Sequence, residues 1–272
     1  MILSITDPDD PRIADYRDVR ERDLVGRQGR FMAEGEVVLR LLAAHVDVEG
    51  RTAHGHRLLS LLLSEGQAER LGDVLAGLPP QFPVHVAGQG VMDRIVGFPI
   101  HRGVLALGAA RPPAEAGTLL AGLGPRALVV GVAGITNHDN MGGIFRNAAA
   151  FGADLMLLDA ASCDPLYRKA IRVSVGASLI VPFARMPDAT AMMAALEAAG
   201  VPVVALSPSG RERLSAFVPP PRVAALFGTE GPGLPAHVLA AARTLSIPMA
   251  PGFDSLNVAT TSGIVLHHLA GV

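Results

Sequence analysis

The chain is poor in the residues that build disulfide frameworks, thiolate metal cages and aromatic stacking platforms. It has one cysteine, Cys163, no tryptophan and two tyrosines. A lone cysteine excludes a disulfide scaffold and fits a reducing cytoplasm. So small an aromatic complement leaves no platform like that of a stacking RNA-binding module, so phosphate and shape recognition is expected over base stacking. Lys169 is the only lysine, and every other basic side chain is arginine. Arginine suits bidentate phosphate contacts, although codon bias explains the same skew. The net charge of −2 gives no global pull toward nucleic acid or anionic membrane, so an RNA partner must meet a local basic patch. Long apolar runs are missing too. Leu58–Leu63 falls far short of the roughly 18 residues of a membrane span. Residues 1–12 are acidic and carry no apolar h-region, so no signal peptide is expected. His54, His56, His101, His138, His267 and His268 show no metal-ligand spacing, and Cys163 reads as packing. The expectation is a soluble, cytoplasmic, metal-free protein.

What is present is a large apolar content. The 272 residues are 50% apolar and 18% charged, enough for two domains with real cores. Residues 108–125, with Arg111-Pro112-Pro113 and Gly124-Pro125, mark the clearest composition shift. This divides the chain into a domain over 1–110, a linker over 111–125 and a domain over 126–272. In the first part, Leu58–Leu63, Pro83–Ala87 and Arg102–Leu107 read as strands among helical segments, a small α/β sandwich. After the linker the alternation is regular. Strands are expected at Ala127–Val132, Ala153–Leu158, Ile180–Phe183, Val201–Leu206, Val223–Phe227 and Thr244–Ile247. Helices are expected at Gly142–Phe151, Pro165–Val175, Ala189–Ala199, Pro235–Arg243 and Asn257–Leu269. That pattern means a parallel sheet covered on both faces, with ligands beyond the carboxyl ends of its strands.

Three segments at those ends carry chemistry. Asn137 to Ala148 leaves a strand, turns on Gly142-Gly143 and places Arg146 about one turn into a helix. An arginine there can meet a polyanion, and its plain alternative is a surface residue on a capped helix. Gly228-Thr-Glu-Gly-Pro-Gly-Leu234 breaks an apolar strand and carries one charge, Glu230. Ile247-Pro-Met-Ala-Pro-Gly-Phe-Asp-Ser-Leu-Asn257 carries Ser255 and Asn257, of which Ser255 also suits a helix cap. Gly- and Pro-rich backbone with few polar side chains suits a flat, partly apolar ligand held by the main chain. The G-x-G-x-x-G spacing of a dinucleotide site is absent, which counts against a nucleotide-dependent oxidoreductase.

In order and spacing these segments resemble the SpoU family of RNA ribose 2′-O-methyltransferases, in the SPOUT superfamily. The signatures appear as Asn140-x-Gly-x-x-x-Arg146, Gly228 to Leu234, and Ile247-Pro-Met through Ser255-Leu-Asn-Val258. Asp164-Pro165 and Arg172-Val-Ser-Val-Gly-Ala177 resemble the stretch between the first two. Phe31 to Gly35 and His101 to Ala106 resemble an appended substrate-binding domain of ribosomal-protein type. The usual Val-Ser-Val continuation is replaced by Val258-Ala259-Thr260, still small residues. The resemblance implies a C-terminal trefoil knot and S-adenosylmethionine held by the backbone at Gly228, Ile247, Met249 and Leu256. It also implies a homodimer through the C-terminal domain, and methyl transfer to a 2′-hydroxyl of ribosomal or transfer RNA. By the same resemblance Arg146 is the catalytic arginine, which family accounts cast as the base. It keeps its proton in proteins, so gripping a phosphate and stabilising a developing alkoxide is its expected task. Asn140, Glu230, Ser255 and Asn257 would orient it. Candidate RNA contacts are Arg27 and Arg30 in the small domain and Arg168, Lys169 and Arg172 in the large one. The alternative is a catalytically inactive RNA-binding or ribosome-assembly protein of the same fold.

Overall fold

Five short apolar segments of the first 112 residues pair into one mixed sheet. In the computed structural model, which describes residues 2–17, 21–96, 103–229, 231–253 and 255–271, the chain divides into two units. Unit 1 comprises Met1–Pro112 and Leu166–Leu179; unit 2 comprises Pro113–Pro165 and Ile180–Val272.

Unit 1 runs β1 (Ile2–Ile5), α1 (Glu21–Gln28), β2 (Arg30–Glu34), α2 (Glu36–Ala43), β3 (Arg57–Ser64), α3 (Glu65–Arg70), α4 (Gly72–Ala76), β4 (Val84–Ala87), α5 (Gln89–Val96) and β5 (Val104–Ala109). The sheet order is β1-β4-β3-β5-β2, with β4 parallel to both neighbours and β5 antiparallel to both of its own. Ile13, Leu24, Met32, Leu62, Met92 and Leu105 form a core on this sheet. Helices α3 and α4 are separated at Leu71, whose buried side chain sits at a non-helical junction. Strands β1 and β2 escape a periodicity reading. The first is four residues at a sheet edge, and the second, Arg-Phe-Met-Ala-Glu, does not alternate.

Unit 2 follows with α6 (Ala116–Ala121), β6 (Ala127–Val132), α7 (His138–Ala150) and β7 (Leu155–Asp159). Next, α8 (Arg168–Val173) and most of α9 (Ala177–Ile180) belong with unit 1. The chain continues through β8 (Phe183–Met186), α10 (Ala189–Ala198), β9 (Val203–Leu206), β10 (Glu212–Arg213), β11 (Arg222–Phe227), α11 (Ala236–Ala241), β12 (Arg243–Ser246) and α12 (Val258–Ala270). The seven strands lie in the order β10-β12-β9-β11-β6-β7-β8, and every pairing is parallel. The chain builds outward from β6 to β8, then returns to place β9, β11 and β12 on the far side of β6. One face buries Val129, Leu155, Leu157, Ala205, Ala224 and Leu226 against α6, α10 and α11. Alternation turns Val130, Met156 and Ala225 to the other face, where α7 and α12 pack together.

Three segments differ from expectation, each for a local reason. The stretch expected as a linker holds α6, whose Leu120 is buried in the core. The strand expected at Ile180 begins at Phe183, because Ala177–Ile180 completes a helical turn and pairing starts at Phe183–Met156, just after Pro182. Helix α7 starts four residues before the expected Gly142, because Asn137 caps it through Asp139 N and Asn140 N.

Residues 166–179 lie between β7 and β8 in sequence, and their attachment to unit 1 has identifiable bonds. The Arg172 guanidinium stands 3.6 Å from the carboxylate of Glu34, a buried residue. His56 is fully buried. Its Nε2–H donates to the Leu179 carbonyl at 3.0 Å, while Nδ1 accepts from the Arg111 backbone N–H at 3.1 Å. Both partners require the neutral Nε2–H tautomer. Burial, with a smaller contribution from the Arg111 charge, pushes the imidazole down to about 4. Because the unfolded side chain titrates near 6.5, the unfolded state binds more protons between those values. The stabilisation is complete above pH 6.5 and is lost as pH falls toward 4, by on the order of 3 kcal/mol at most. Urea midpoints of the wild type and His56→Gln should therefore differ most at neutral pH and converge by pH 4.5. A difference independent of pH would contradict a neutral buried imidazole.

Candidate functional site

The site grows from the carboxyl ends of three adjacent strands. β9 ends at Leu206, β11 at Phe227 and β12 at Ser246. Leu206, Phe227 and Leu245 form the floor of a cleft of about 350 Å³. The segments that follow those strands close it: Ser207-Pro208, Gly228 to Gly233, and Ile247 through Met249, with Ser255 to Val258 and Thr261 from the last helix and its approach. Its volume lies at the lower end of ligand pockets, roughly 300–1,000 Å³.

Backbone geometry explains the glycines. A Cβ on Gly228 would lie 2.3 Å from the Gly233 carbonyl carbon and from Leu234 N, because the loop doubles back on itself there. Gly233 N–H donates to the Thr229 carbonyl at 3.1 Å, and Gly231 and Gly233 take φ of +86° and +70°. A ligand in the cleft meets main-chain edges, apolar side chains and the hydroxyls of Ser207, Thr229, Ser255 and Thr261, with no charged side chain among the described lining residues.

The cleft is tied to α7 by asparagines. Asn257 caps α12, its Oδ1 accepting from Ala259 N at 2.9 Å and Thr260 N at 3.2 Å. The same amide donates from Nδ2 to Asn140 Oδ1 at 2.8 Å. Seven residues along α7, Asn147 Nδ2 donates to the Ala259 carbonyl at 2.7 Å and to Ser262 Oγ at 2.9 Å. Between the two asparagines, a Cβ on Gly143 would lie 2.7 Å from that of Ala259. The small residue at 259 is thus a requirement of close helix contact. Asn147 was not singled out in the sequence, since an asparagine inside a helix ordinarily faces water.

The loop from β6 to α7 has its own anchor, also unforeseen. Asp159, buried at the end of β7, accepts from Gly134 N at 2.9 Å and from Ser162 N and Oγ at 2.9 and 2.6 Å. Ser162 Oγ in turn accepts from Ile135 N at 3.0 Å. Neighbouring Cys163 is chemically quiet, burial pushing its thiol up to about 11.

Of the residues named from the sequence, Gly228, Ile247, Met249, Ser255, Leu256 and Asn257 share the cleft, and Asn140 reaches it through Asn257. Glu230 lies outside the described residues, as do His101 and Arg102 of the substrate-domain motif. Arg146 directly precedes Asn147 on α7, so the two side chains diverge by about 100° around the helix. Arg146 is exposed and does not line the cleft of its own chain. Arg168, Lys169 and Arg172, expected in the larger domain, lie in unit 1 with Arg27 and Arg30. Lys169 and Arg27 are exposed, Arg168 is half-buried, Arg30 pairs with Asp15 at 3.2 Å and Arg172 with Glu34. Among the described residues no group of His, Cys, Asp and Glu could hold a metal, and no helix is long and apolar enough to cross a membrane.

Comparison with known proteins gives this geometry a family. The profile of the SpoU rRNA methylase family matches residues 127–267. The chain belongs to that family. Uncharacterized tRNA/rRNA methyltransferases of Mycobacterium bovis and Mycobacterium tuberculosis are each 37% identical over 98% of this chain and 91% of their own. Among solved structures, an AdoMet-bound rRNA methyltransferase from Sinorhizobium meliloti superposes with a TM-score of 0.79 at 24% identity, covering 98% of this chain and 97% of that one. An RNA 2′-O ribose methyltransferase superposes with a TM-score of 0.77 at 25% identity, covering 98% of each. This SpoU chain is therefore an RNA methyltransferase by family, built on the parallel-sheet α/β fold of its structural neighbours.

The contact between α7 and α12 makes a stability prediction. Asn147→Ala removes two hydrogen bonds and leaves Ala259 O and Ser262 to one another, which should cost about 1–3 kcal/mol. Gly143→Leu should cost at least as much by forcing the helices apart. Thermal unfolding checks both, and an unchanged Tm in either variant would show the contact to be slack.

Proposed function

We propose that this chain transfers the methyl group of S-adenosylmethionine to a ribose 2′-hydroxyl of ribosomal or transfer RNA. The observation that carries the reading is the cleft beyond β9, β11 and β12: main-chain edges and apolar walls, fastened through Asn257 and Asn140 to the helix that carries Arg146. An adenine ring suits the apolar walls of Leu245, Ile247, Met249 and Leu256, and the hydroxyls of Ser255 and Thr229 suit ribose and carboxylate edges. The solved relatives support the cofactor and the position methylated: one is AdoMet-bound, and another is an RNA 2′-O ribose methyltransferase.

Bound there, the cofactor supplies an already activated methyl on a sulfonium. The chain then has to place a hydroxyl in line with it and help one proton leave. Arg146 grips the phosphate beside the target ribose and stabilises the developing alkoxide with its fixed positive charge. Asn140 and Asn257, bonded to each other, hold α7 in register with the cleft, and Ser255 and Glu230 complete the setting. Exposed Arg146, outside its own cleft, fits a homodimer through the C-terminal domain in which each Arg146 serves a shared site. Leu256, just before α12, and Ile264, on α12, are each 42% exposed and supply apolar surface for that contact. The C-terminal trefoil knot, the small RNA-binding domain and a cytoplasmic setting belong to the same reading. Arg27, Arg30, Arg168, Lys169 and Arg172 are its candidate phosphate contacts away from the cleft.

Arg146→Ala should abolish methyl transfer while leaving S-adenosylmethionine affinity within about twofold of wild type by calorimetry, because Arg146 does not line the cleft. Loss of both together would remove Arg146 from catalysis and make it part of the cofactor site.

A further inference from the structure

A second cleft, of about 360 Å³, lies across the strap Ile247-Pro248-Met249 from the first. The two share Pro208, Ile247 and Met249, so whatever occupies the second lies beside the occupant of the first. Its walls differ in kind. Phe253 stands 76% exposed at its edge, in a chain with no tryptophan and few aromatics. The ring is presented by a tight turn: Phe253 N–H donates to the Ala250 carbonyl at 3.1 Å, with Pro251 and Gly252 (φ +88°) at the two corners. An exposed aromatic held by a defined turn differs from one left loose on a surface.

A cationic side chain also lines this cleft. β10 forms the edge of the seven-stranded sheet and ends in exposed Arg213, which lines the cleft. Its neighbours are already committed. Arg243 Nε donates to Glu212 Oε2 at 2.7 Å and its guanidinium lies 4.8 Å over the Phe217 ring. Ser246 Oγ donates to the Glu212 carbonyl at 3.1 Å. Arg213 makes no ion pair with any described residue, and no carboxylate stands among the described lining residues.

A flat apolar ring and an available guanidinium lining one cleft, next to the cleft where a ribose must be placed, match the chemistry of one nucleotide: a base to stack and a phosphate to pair. We propose that this second cleft is an RNA subsite for the nucleotide flanking the methylated one, with Phe253 stacking its base and Arg213 holding its phosphate. Stacking of this kind tolerates any base, so the subsite positions the strand and does not read its sequence. The inference rests on the methyltransferase reading above.

The test uses the full-length protein and bulk ribosomal and transfer RNA from cells lacking it, with radiolabelled methyl transfer as the readout. Phe253→Ala and Arg213→Ala should each raise KM for RNA roughly tenfold, near the lower end of measured base–aromatic stacking. Cofactor affinity and sedimentation behaviour should stay at wild-type values, and Phe253→Tyr should restore most of the loss. RNA KM unchanged in both variants overturns the subsite. So does a matched loss of cofactor affinity, which would make these residues part of the first cleft. A changed oligomeric state also overturns it, because the surface would then be a contact with a second copy. Failure of the underlying reading is distinguishable, since the wild type itself would then methylate neither RNA.

Discussion

The contact on which the site depends is the seam between α7 and α12. Both helices follow loops beyond strand ends: α7 carries Arg146, and α12 begins where the cleft ends. At Gly143 and Ala259 the backbones approach so closely that one more carbon would not fit. Hydrogen bonds lie on either side of that point, Asn140 with Asn257 and Asn147 with Ala259 and Ser262. A slip of either helix along the other would break all of these together. The seam therefore transmits register. It fixes the arginine-bearing helix against the cleft edge with more precision than either loop could supply alone.

The parallel sheet makes the seam useful. Seven strands running the same way bring their carboxyl ends to one edge, so loops distant in sequence become neighbours there. The cleft draws on residues from Leu206 to Thr261, and its partner helix starts near residue 138. Asp159 and Ser162 hold the first loop by its backbone, and the Gly228–Leu234 turn closes on itself. The rigidity of these segments matters to the chemistry. A donor that arrives activated asks little of the enzyme beyond alignment, so preorganised backbone takes the place of an elaborate set of acids and bases.

Much of this was legible in the sequence where a residue's local role and its functional role coincide. The strands Ala127–Val132 and Val223–Phe227 are uninterrupted apolar runs, and the first matches its observed bounds. The glycine-broken turns announce close backbone approach, and the structure puts Gly228, Ile247, Met249 and Leu256 around one cleft. What escaped was governed by tertiary contact. Asn147 looks like an ordinary helix-surface amide until Ala259 is placed opposite. Asp159 reads as a strand end and is in fact the anchor of another loop. The attachment of residues 166–179 to unit 1 runs through His56 and the Arg172–Glu34 pair, and His56 has no metal-ligand spacing that would mark it in the sequence. Hydrophobic period carries no information about such pairings, because each joins residues more than twenty positions apart.

The central claim is that the cleft and the arginine helix together methylate a ribose hydroxyl on RNA. Ribose methylation leaves a direct mark, since a 2′-O-methyl group blocks alkaline cleavage of the adjacent phosphodiester. Mapping cleavage-resistant positions across ribosomal and transfer RNA, from cells with and without this protein, should show resistance disappear at one or a few positions and return with the purified enzyme and S-adenosylmethionine. An identical map in both cells, with no methyl incorporated by the purified enzyme, would contradict the account.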